Sequence, residues 1–278
     1  MNSAESLAVL DNTLRARNYS RCTIKNYTES VYGFLQYAMT MPKGNEPDYY
    51  VSGYILRLKS DSNQATTINL KLAAIRFYFE HVVKKPISAK DVPNLKTPDT
   101  LPDIFSIEEM RHMLAMPMNR KHRLFLMITY GCGLRVSEAI KIRIGDLKLD
   151  RGLLYIRGKG DRDRVVAIKA IPIDLLREYM YDKESGDWLF GSQARAYHIS
   201  SRTAGYYLQR ACEKAKIPGR HNLHKLRHTY AGHIHEAGID IRLIQEVLGH
   251  KDIRTTLIYT KINQERIAKM ESPLSKVV

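Results

Sequence analysis

The chain has 278 residues, 44% hydrophobic and 26% charged, a globular balance that excludes disordered, collagen-like and low-complexity classes. No apolar stretch approaches the ~18 residues of a membrane span, the first residues (with Glu5 and Asp11) lack a basic-then-apolar export pattern, and Cys22, Cys132 and Cys212 form neither a disulfide framework nor a zinc motif, so a soluble chain in a reducing cytoplasm is expected. Lys and Arg number 44 against 29 Asp and Glu, a net charge of +15 that points to a polyanionic partner, nucleic acid ahead of a merely basic surface.

The charge is spread along the chain. Residues 1–98 hold 13 basic and 8 acidic residues, and residues 99–278 hold 31 and 21, so both halves could face the same polyanion. Residues 3–83 read as four short amphipathic helices. Leu7, Leu10 and Leu14 share a face of the first. Thr23 is the expected N-cap of a second, which buries Tyr27, Val31, Phe34, Leu35 and Ala38. Pro47 and Asp48 open a third with Val51, Tyr54, Ile55 and Leu58, and Thr67 precedes a fourth with Ile68, Leu72, Ile75, Phe79 and Val82. Pro86, Pro93, Pro98 and Pro102 then mark an extended linker. The expected division is a helical domain at 1–85, a linker at 86–104 and a second domain at 105–278.

The second domain reads as helical with one small β patch. Ser106, Ile107, Glu108 and Glu109 form a capping-box pattern, and residues 121–130 read as an apolar helix ending near Gly131 and Gly133. Leu153 to Arg157 and Arg164 to Ile168 are β-type runs around a hairpin-like loop, Gly158 to Asp163, and Trp188, Leu189 and Phe190 are a candidate third strand. Helices follow at about 199–216, 223–237, 240–248, 252–259 and 263–270.

Five segments of this half carry chemistry-bearing residues. In Gly131–Glu138, Arg135 follows a glycine turn at a helix start, a position suited either to gripping a phosphate or to a solvated surface arginine. Lys159 projects between Gly158 and Gly160, although the spacing is not that of a P-loop. His224 and Arg227, three apart in His224-Lys225-Leu226-Arg227-His228, share a helix face on which the histidine can move protons and the arginine is a fixed cation. His250 follows Gly249 at a helix end, where a C-terminal cap is the plainer explanation, and Tyr259 closes Thr255 to Thr260 in a chain with 17 tyrosines.

Together and in order, these segments resemble the boxes of the tyrosine site-specific recombinases, the family of lambda-type integrases, Cre and the Xer proteins. The G-x-G-L-R-x-S-E box is matched by Gly131 through Glu138, the hairpin G-K-G by Lys159 and its neighbours, and H-x-L-R-H by His224 to His228. L-G-H is matched by Leu248 to His250, and T-T-x-x-Y-T by Thr255 to Thr260. The spacings, 24 residues from Arg135 to Lys159, 23 from Arg227 to His250 and 9 from His250 to Tyr259, suit the simple Xer-like members. One departure is Ala167 after Val165-Val166, where a Val-Pro is usual.

The resemblance implies a mainly α fold with a small antiparallel sheet, arranged as a two-domain DNA clamp of a helical, SAM-like core-binding domain and a catalytic domain. It implies a catalytic set of Arg135, Lys159, His224, Arg227, His250 and Tyr259. Both arginines and His250 would hold the scissile phosphate, Tyr259 would attack it to give a 3′-phosphotyrosyl link, His224 would accept the tyrosine proton and Lys159 would protonate the leaving 5′-oxygen. No metal, ATP or other cofactor is expected. The expected partners are duplex DNA with an inverted-repeat core site and a tetramer on that DNA, of one chain or shared with a paralogue. The segment Asn263 to Met270, with Ser272-Pro273-Leu274, would dock on a neighbouring protomer, no membrane is involved, and the protein would act at the cytoplasmic nucleoid. The task would be Xer-like dimer resolution or integration and excision of a mobile element. Two rivals remain at this stage. A DNA-binding regulator could use Ile241 to Thr256 as a helix-turn-helix but would leave Arg135, Lys159, His224 and Tyr259 without a task. A metal hydrolase on His224, His228, His233, His235 and His250 would lack H-E-x-x-H and a carboxylate at ligand spacing.

Overall fold

A computed structural model of the chain describes residues 3–42, 44, 46–97, 102–158, 163–192, 196–249 and 254–257, with the backbone alone at Arg254. The chain divides into two compact units, Met1–Asp99 and Thr100–Val278. The fold class follows the expectation, mostly helical with one small antiparallel sheet.

The first unit holds α1 (Ser3–Ala16), α2 (Arg21–Met39), α3 (Pro47–Ser60) and α4 (Ala65–Tyr78), which runs into a π-helical turn at Phe79–Val83. The apolar periodicity of each helix decides its buried face. In α3 the buried residues are Val51, Tyr54, Ile55 and Leu58, with Pro47 at the first turn, where its missing N–H costs nothing. Two starts differ from the sequence reading. Ser20 caps α2, its hydroxyl accepting the Thr23 N–H at 3.1 Å, so Thr23 lies inside the first turn. The fourth helix starts before Thr67, at Ala65 after the extended Gln64. The ring of Phe34 meets Tyr54 and Phe79 edge-on, each at 5.7 Å between centroids. Residues 86–95 form no helix or strand, yet they are held to this unit: Ile87 and Val92 are buried, Arg76 donates to Asn94 Oδ1 and the Val92 carbonyl, and Asn69 makes two bonds to the Leu95 backbone.

The second unit contains α5 (Ile107–Ala115), α6 (Arg120–Gly131), α7 (Val136–Ala139), a 3₁₀ turn at Ile144–Asp146, β1 (Leu147–Lys148), β2 (Leu153–Ile156) and β3 (Arg164–Ala167). It continues with α8 (Ile173–Met180), α9 (Ser201–Lys214), α10 (Leu223–Glu236), α11 (Ile241–Leu248) and α12 (Arg254–Leu257). The capping box at α5 forms as the pattern predicts, Ser106 accepting the Glu109 N–H at 3.0 Å and Glu109 accepting the Ser106 N–H at 2.8 Å. The three strands pair antiparallel in the order β1-β2-β3, with Leu154 opposite Leu147 and Val166, and Ile156 opposite Arg164. The third strand is therefore Leu147–Lys148 rather than Trp188 to Phe190. Trp188 makes a single bridge to Arg143, while Leu189 and Phe190 are fully buried in the core. The helix α8 lies outside the helices read from the sequence, and the helix start read at Arg135 is that of the short α7. The expected helix at 263–270 falls outside the described residues, as does most of the one at 252–259.

Candidate active site

The site begins where α6 ends. Gly133 takes a left-handed conformation, φ +59°, and a Cβ there would lie 2.4 Å from Tyr230 Cδ1, so only glycine fits. The Gly133 N–H reaches the Tyr130 carbonyl and the Leu134 N–H the Thr129 carbonyl, each at 3.0 Å, which closes α6 and drives Leu134 into the core. Arg135 follows in extended conformation as the N-cap of α7. Its side chain is 39% exposed.

A second arginine comes from α10. Asn222 caps this helix, and Leu223 and Leu226 turn its apolar face inward. The entry of the chain into the unit is fastened to the same helix: the Phe105 N–H donates to Thr229 Oγ1 at 3.0 Å, and Lys225 pairs with Asp103 at 2.7 Å. Arg227 is 1% exposed and donates from Nη1 to the Gly133 carbonyl at 2.8 Å and from Nη2 to the Leu248 carbonyl at 2.6 Å.

The C-terminal turn of α11 draws the cations together. Ile244 and Leu248 bury this helix, and Gly249 ends it at φ +62°. Its last carbonyls have no partner within the helix and lie at the negative end of its dipole. Arg164 Nε donates to Val247 at 2.8 Å, Arg227 Nη2 to Leu248, and Arg135 to Leu248 and Gly249 at 3.5 and 3.3 Å. Three guanidiniums from residues distant in sequence thus meet one helix end.

Glu138, one turn into α7 and 9% exposed, is the counter-charge. Arg164 grips its carboxylate as a fork at 2.9 and 2.8 Å, and Arg135 adds Nη1 at 2.9 Å and its backbone N–H at 2.8 Å. Burial alone would raise the pKa of this carboxyl. The hydrogen bonding and the charge of Arg164, followed by the backbone and side-chain hydrogen bonds from Arg135, overcome it and hold the value down to about 2. Arg227 Nη1 stays 3.9 Å from Glu138. One carboxylate against three guanidiniums leaves the cluster cationic and suited to an oxyanion.

His224 is exposed one turn before Arg227 on α10, and its ring meets that of His228 edge-on, 4.3 Å between centroids. Partial burial and then the charges of Arg227 and Arg135 depress its pKa below the ordinary 6.5. Burial and then the neighbouring His224 and Arg227 push His228 down to about 4.

The structure therefore brings Arg135 and Arg227 to one point, with His224 a turn away. Lys159, His250 and Tyr259 lie outside the described residues. On either side of Lys159 in the sequence, the Gly158 N–H donates to Asp163 Oδ1 at 3.0 Å. Glu138 and Arg164 have no role in the sequence reading, and His228 enters it only in the rival metal-hydrolase set. For the first two a signal was present. Glu138 sits at the N3 position of a helix start, and Arg164 shares the inward face of β3 with Val166, a register in which a charge needs a buried partner. Among the described residues no group of three or more His, Cys, Asp and Glu is arranged to hold a metal, and no helix is long and apolar enough to cross a membrane.

The depressed values set the acid response of the fold. A group whose pKa is lower in the folded state contributes stability above its unfolded value that is lost as pH falls through the folded one. His228 should weaken the fold from pH 6.5 towards about 4, and Glu138 from 4.5 towards about 2. Thermal melts across this range should show the melting temperature falling in two stages of roughly 5–10 °C each. Glu138→Gln should remove the lower stage, and a melting temperature flat from pH 7 to 3 would contradict both assignments.

Residues 101–266 match the family model described as "Phage integrase family", and residues 7–89 match "Phage integrase, N-terminal SAM-like domain". The chain is 34% identical to "Tyrosine recombinase XerA" of Thermococcus kodakarensis, covering 90% of this chain and 88% of that one. It is 30% identical to "Tyrosine recombinase XerD" of Oceanobacillus iheyensis, covering 91% and 92%. Among solved structures, "XerA recombinase" matches with a TM-score of 0.55 at 25% identity, covering 97% of each chain. The post-cleavage complex of "XerH site-specific recombinase bound to palindromic difH substrate" matches in fold with a TM-score of 0.79 at 23% identity, covering 96% of this chain and 83% of that one.

Proposed function

Because this chain belongs to the phage integrase family and is a tyrosine recombinase, an enzyme that cuts and rejoins DNA strands, we propose that it exchanges strands at a specific site through a 3′-phosphotyrosyl intermediate on Tyr259. The observation that supports this most is the meeting of Arg135 and Arg227 on the Leu248 carbonyl, with His224 one turn from Arg227.

A phosphodiester is anionic, and its pentacoordinate transition state concentrates charge on the non-bridging oxygens. Two fixed guanidiniums aimed at one place stabilise that charge without reorganising. Arg135, the more exposed, is the first cation a phosphate meets. Arg227 is held in place by the Gly133 and Leu248 carbonyls, and each of its terminal nitrogens carries a second N–H with which to meet the phosphate. His250, one residue past Gly249, adds a third donor.

In the cleavage step Tyr259 Oη forms a bond to phosphorus and the bond from phosphorus to the 5′-oxygen breaks. The phenolic proton passes to His224, whose depressed pKa keeps it neutral and ready to accept near pH 7. Lys159 gives a proton to the departing 5′-oxygen. The number of phosphoester bonds is unchanged, so a 5′-hydroxyl from a partner strand reverses the step with neither ATP nor metal. A second round on the other strand pair completes exchange. XerH was solved bound to a palindromic difH substrate, and a palindromic core site bound by four protomers suits a chain whose two halves are both basic. The biological task would be Xer-like dimer resolution or movement of an integrated element.

The test is a duplex carrying the site, nicked just downstream of the scissile phosphate so that the short released fragment, with its 5′-hydroxyl, diffuses away. In chelator and without ATP, the wild-type chain should accumulate a covalent protein–DNA adduct. Cleavage that requires a divalent metal, or that leaves no adduct, would overturn the proposal.

A further inference from the structure

We propose that Arg164 is a positioning residue for strand cleavage: by occupying both oxygens of Glu138 and the Val247 carbonyl, it keeps Glu138 from capturing Arg227 and fixes the α11 turn on which the phosphate-binding arginines converge. The inference rests on the reading of Arg135 and Arg227 as phosphate ligands.

Arg164 is the first paired residue of β3, opposite Ile156, and its side chain is 10% exposed. All three of its donor nitrogens are committed: Nη1 and Nη2 to the two oxygens of Glu138, and Nε to Val247. One side chain thereby ties the sheet to α7 and to the C-terminal turn of α11. Stability alone does not call for this. An apolar residue at an inward strand register, beside Val166, would serve the core as well, because a buried ion pair often contributes no more than a well-packed hydrophobic replacement.

The geometry gives the arrangement a second use. A carboxylate buried among three guanidiniums binds whichever can approach it as a fork. With Arg164 in that place, Arg135 reaches only Oε1 with its side chain, and Arg227 Nη1 stops at 3.9 Å. Without Arg164, both oxygens of Glu138 would be open to the two remaining arginines, and a carboxylate would compete with the phosphate for them. The Val247 carbonyl would also lose its donor, and with it the bond that pins the turn carrying the Leu248 and Gly249 carbonyls.

The distinguishing property of this role is a reversal in the effect of Glu138. With Arg164 present, Glu138 orients Arg135 and its loss is harmful. With Arg164 gone, Glu138 becomes a competitor and its loss is beneficial. A purely structural part for Arg164 would lower the amount of folded enzyme but would not change the rate per folded molecule.

The experiment measures single-turnover cleavage of the nicked duplex at saturating DNA, on protein shown by melting to be folded. Arg164→Met should lower the rate by about 10²-fold with DNA affinity little changed. Arg164→Lys, which keeps the charge but loses the fork and is the milder variant for folding, should lose about 10-fold. Adding Glu138→Gln to either variant should raise its rate, whereas Glu138→Gln alone should reduce the wild-type rate. Wild-type rates per folded molecule in the Arg164 variants, or equal harm from Glu138→Gln in both backgrounds, would overturn the inference. Arg135→Ala serves as the control for the underlying reading: if it cleaves normally, the phosphate-binding assignment itself has failed, whereas an inactive Arg135→Ala beside fully active Arg164 variants refutes the role of Arg164 alone.

Discussion

Tyr259→Phe should bind its DNA site with wild-type affinity and form no covalent adduct. The substitution removes one oxygen and keeps the aromatic ring, so it takes away the hydroxyl that the proposed mechanism uses as nucleophile and little else. Neither arginine can substitute, because a guanidinium stays protonated and does not attack phosphorus. The loss should be complete within the assay rather than graded. It is read by denaturing electrophoresis of the nicked substrate, with binding followed separately by gel shift. An adduct formed by the phenylalanine variant would remove Tyr259 from the chemistry.

The second large effect should come from Arg227→Lys, which keeps the positive charge. Arg227 uses two nitrogens at once, for the Gly133 and Leu248 carbonyls at 2.8 and 2.6 Å. A lysine ammonium is a point donor on a flexible stem and cannot span both. The buried Gly133 carbonyl would lose its partner, at about 1–3 kcal/mol, and the transition state would lose a planar, pre-aimed pair of donors. Removing one such donor typically costs about 10²–10³ in rate, and a loss of that size is expected in single-turnover cleavage, with DNA affinity altered only slightly. Arg177→Lys is the matched control. Arg177 is 66% exposed and 4.0 Å from Asp174, and an exposed pair of that kind contributes almost nothing. Equal rates for the two variants would mean that Arg227 acts by charge alone.

How much of this could be read from the sequence depended on the range of the signal. Helices with a steady apolar period were clear, and α3 presents the four buried residues expected of it. Helix starts were less secure, because Ser20 and Thr23 are both capping residues and only the backbone shows that Ser20 is the extended one. The two-residue strand β1 is too short to show alternation, while Trp188, Leu189 and Phe190 have strand composition but are spent on core packing and a single bridge. The amphipathic α8 has eight residues, as α11 does, but it starts after Pro172 without a side-chain cap, whereas Asp240 caps α11 and marks its start in the sequence.

The site was legible as separate motifs rather than as a geometry. Arg135, His224 and Arg227 stand out through glycine turns and helical spacing. The partners that shape them do not, because Glu138, Arg164 and Val247 are joined through side-chain and helix-end bonds between residues 26 and 83 positions apart. A carboxylate at the N3 position of a helix start and a charge at an inward strand position were the local clues to that network.

Peptide mapping of the trapped protein–DNA adduct asks directly which atom of the protein replaces the 5′-oxygen on the scissile phosphorus. The wild-type chain, incubated in chelator with the nicked duplex and digested with protease and nuclease, should yield one modified peptide, with a nucleotide 3′-phosphate on Tyr259. A link through any other residue, or through a 5′-phosphate, would contradict the proposed mechanism.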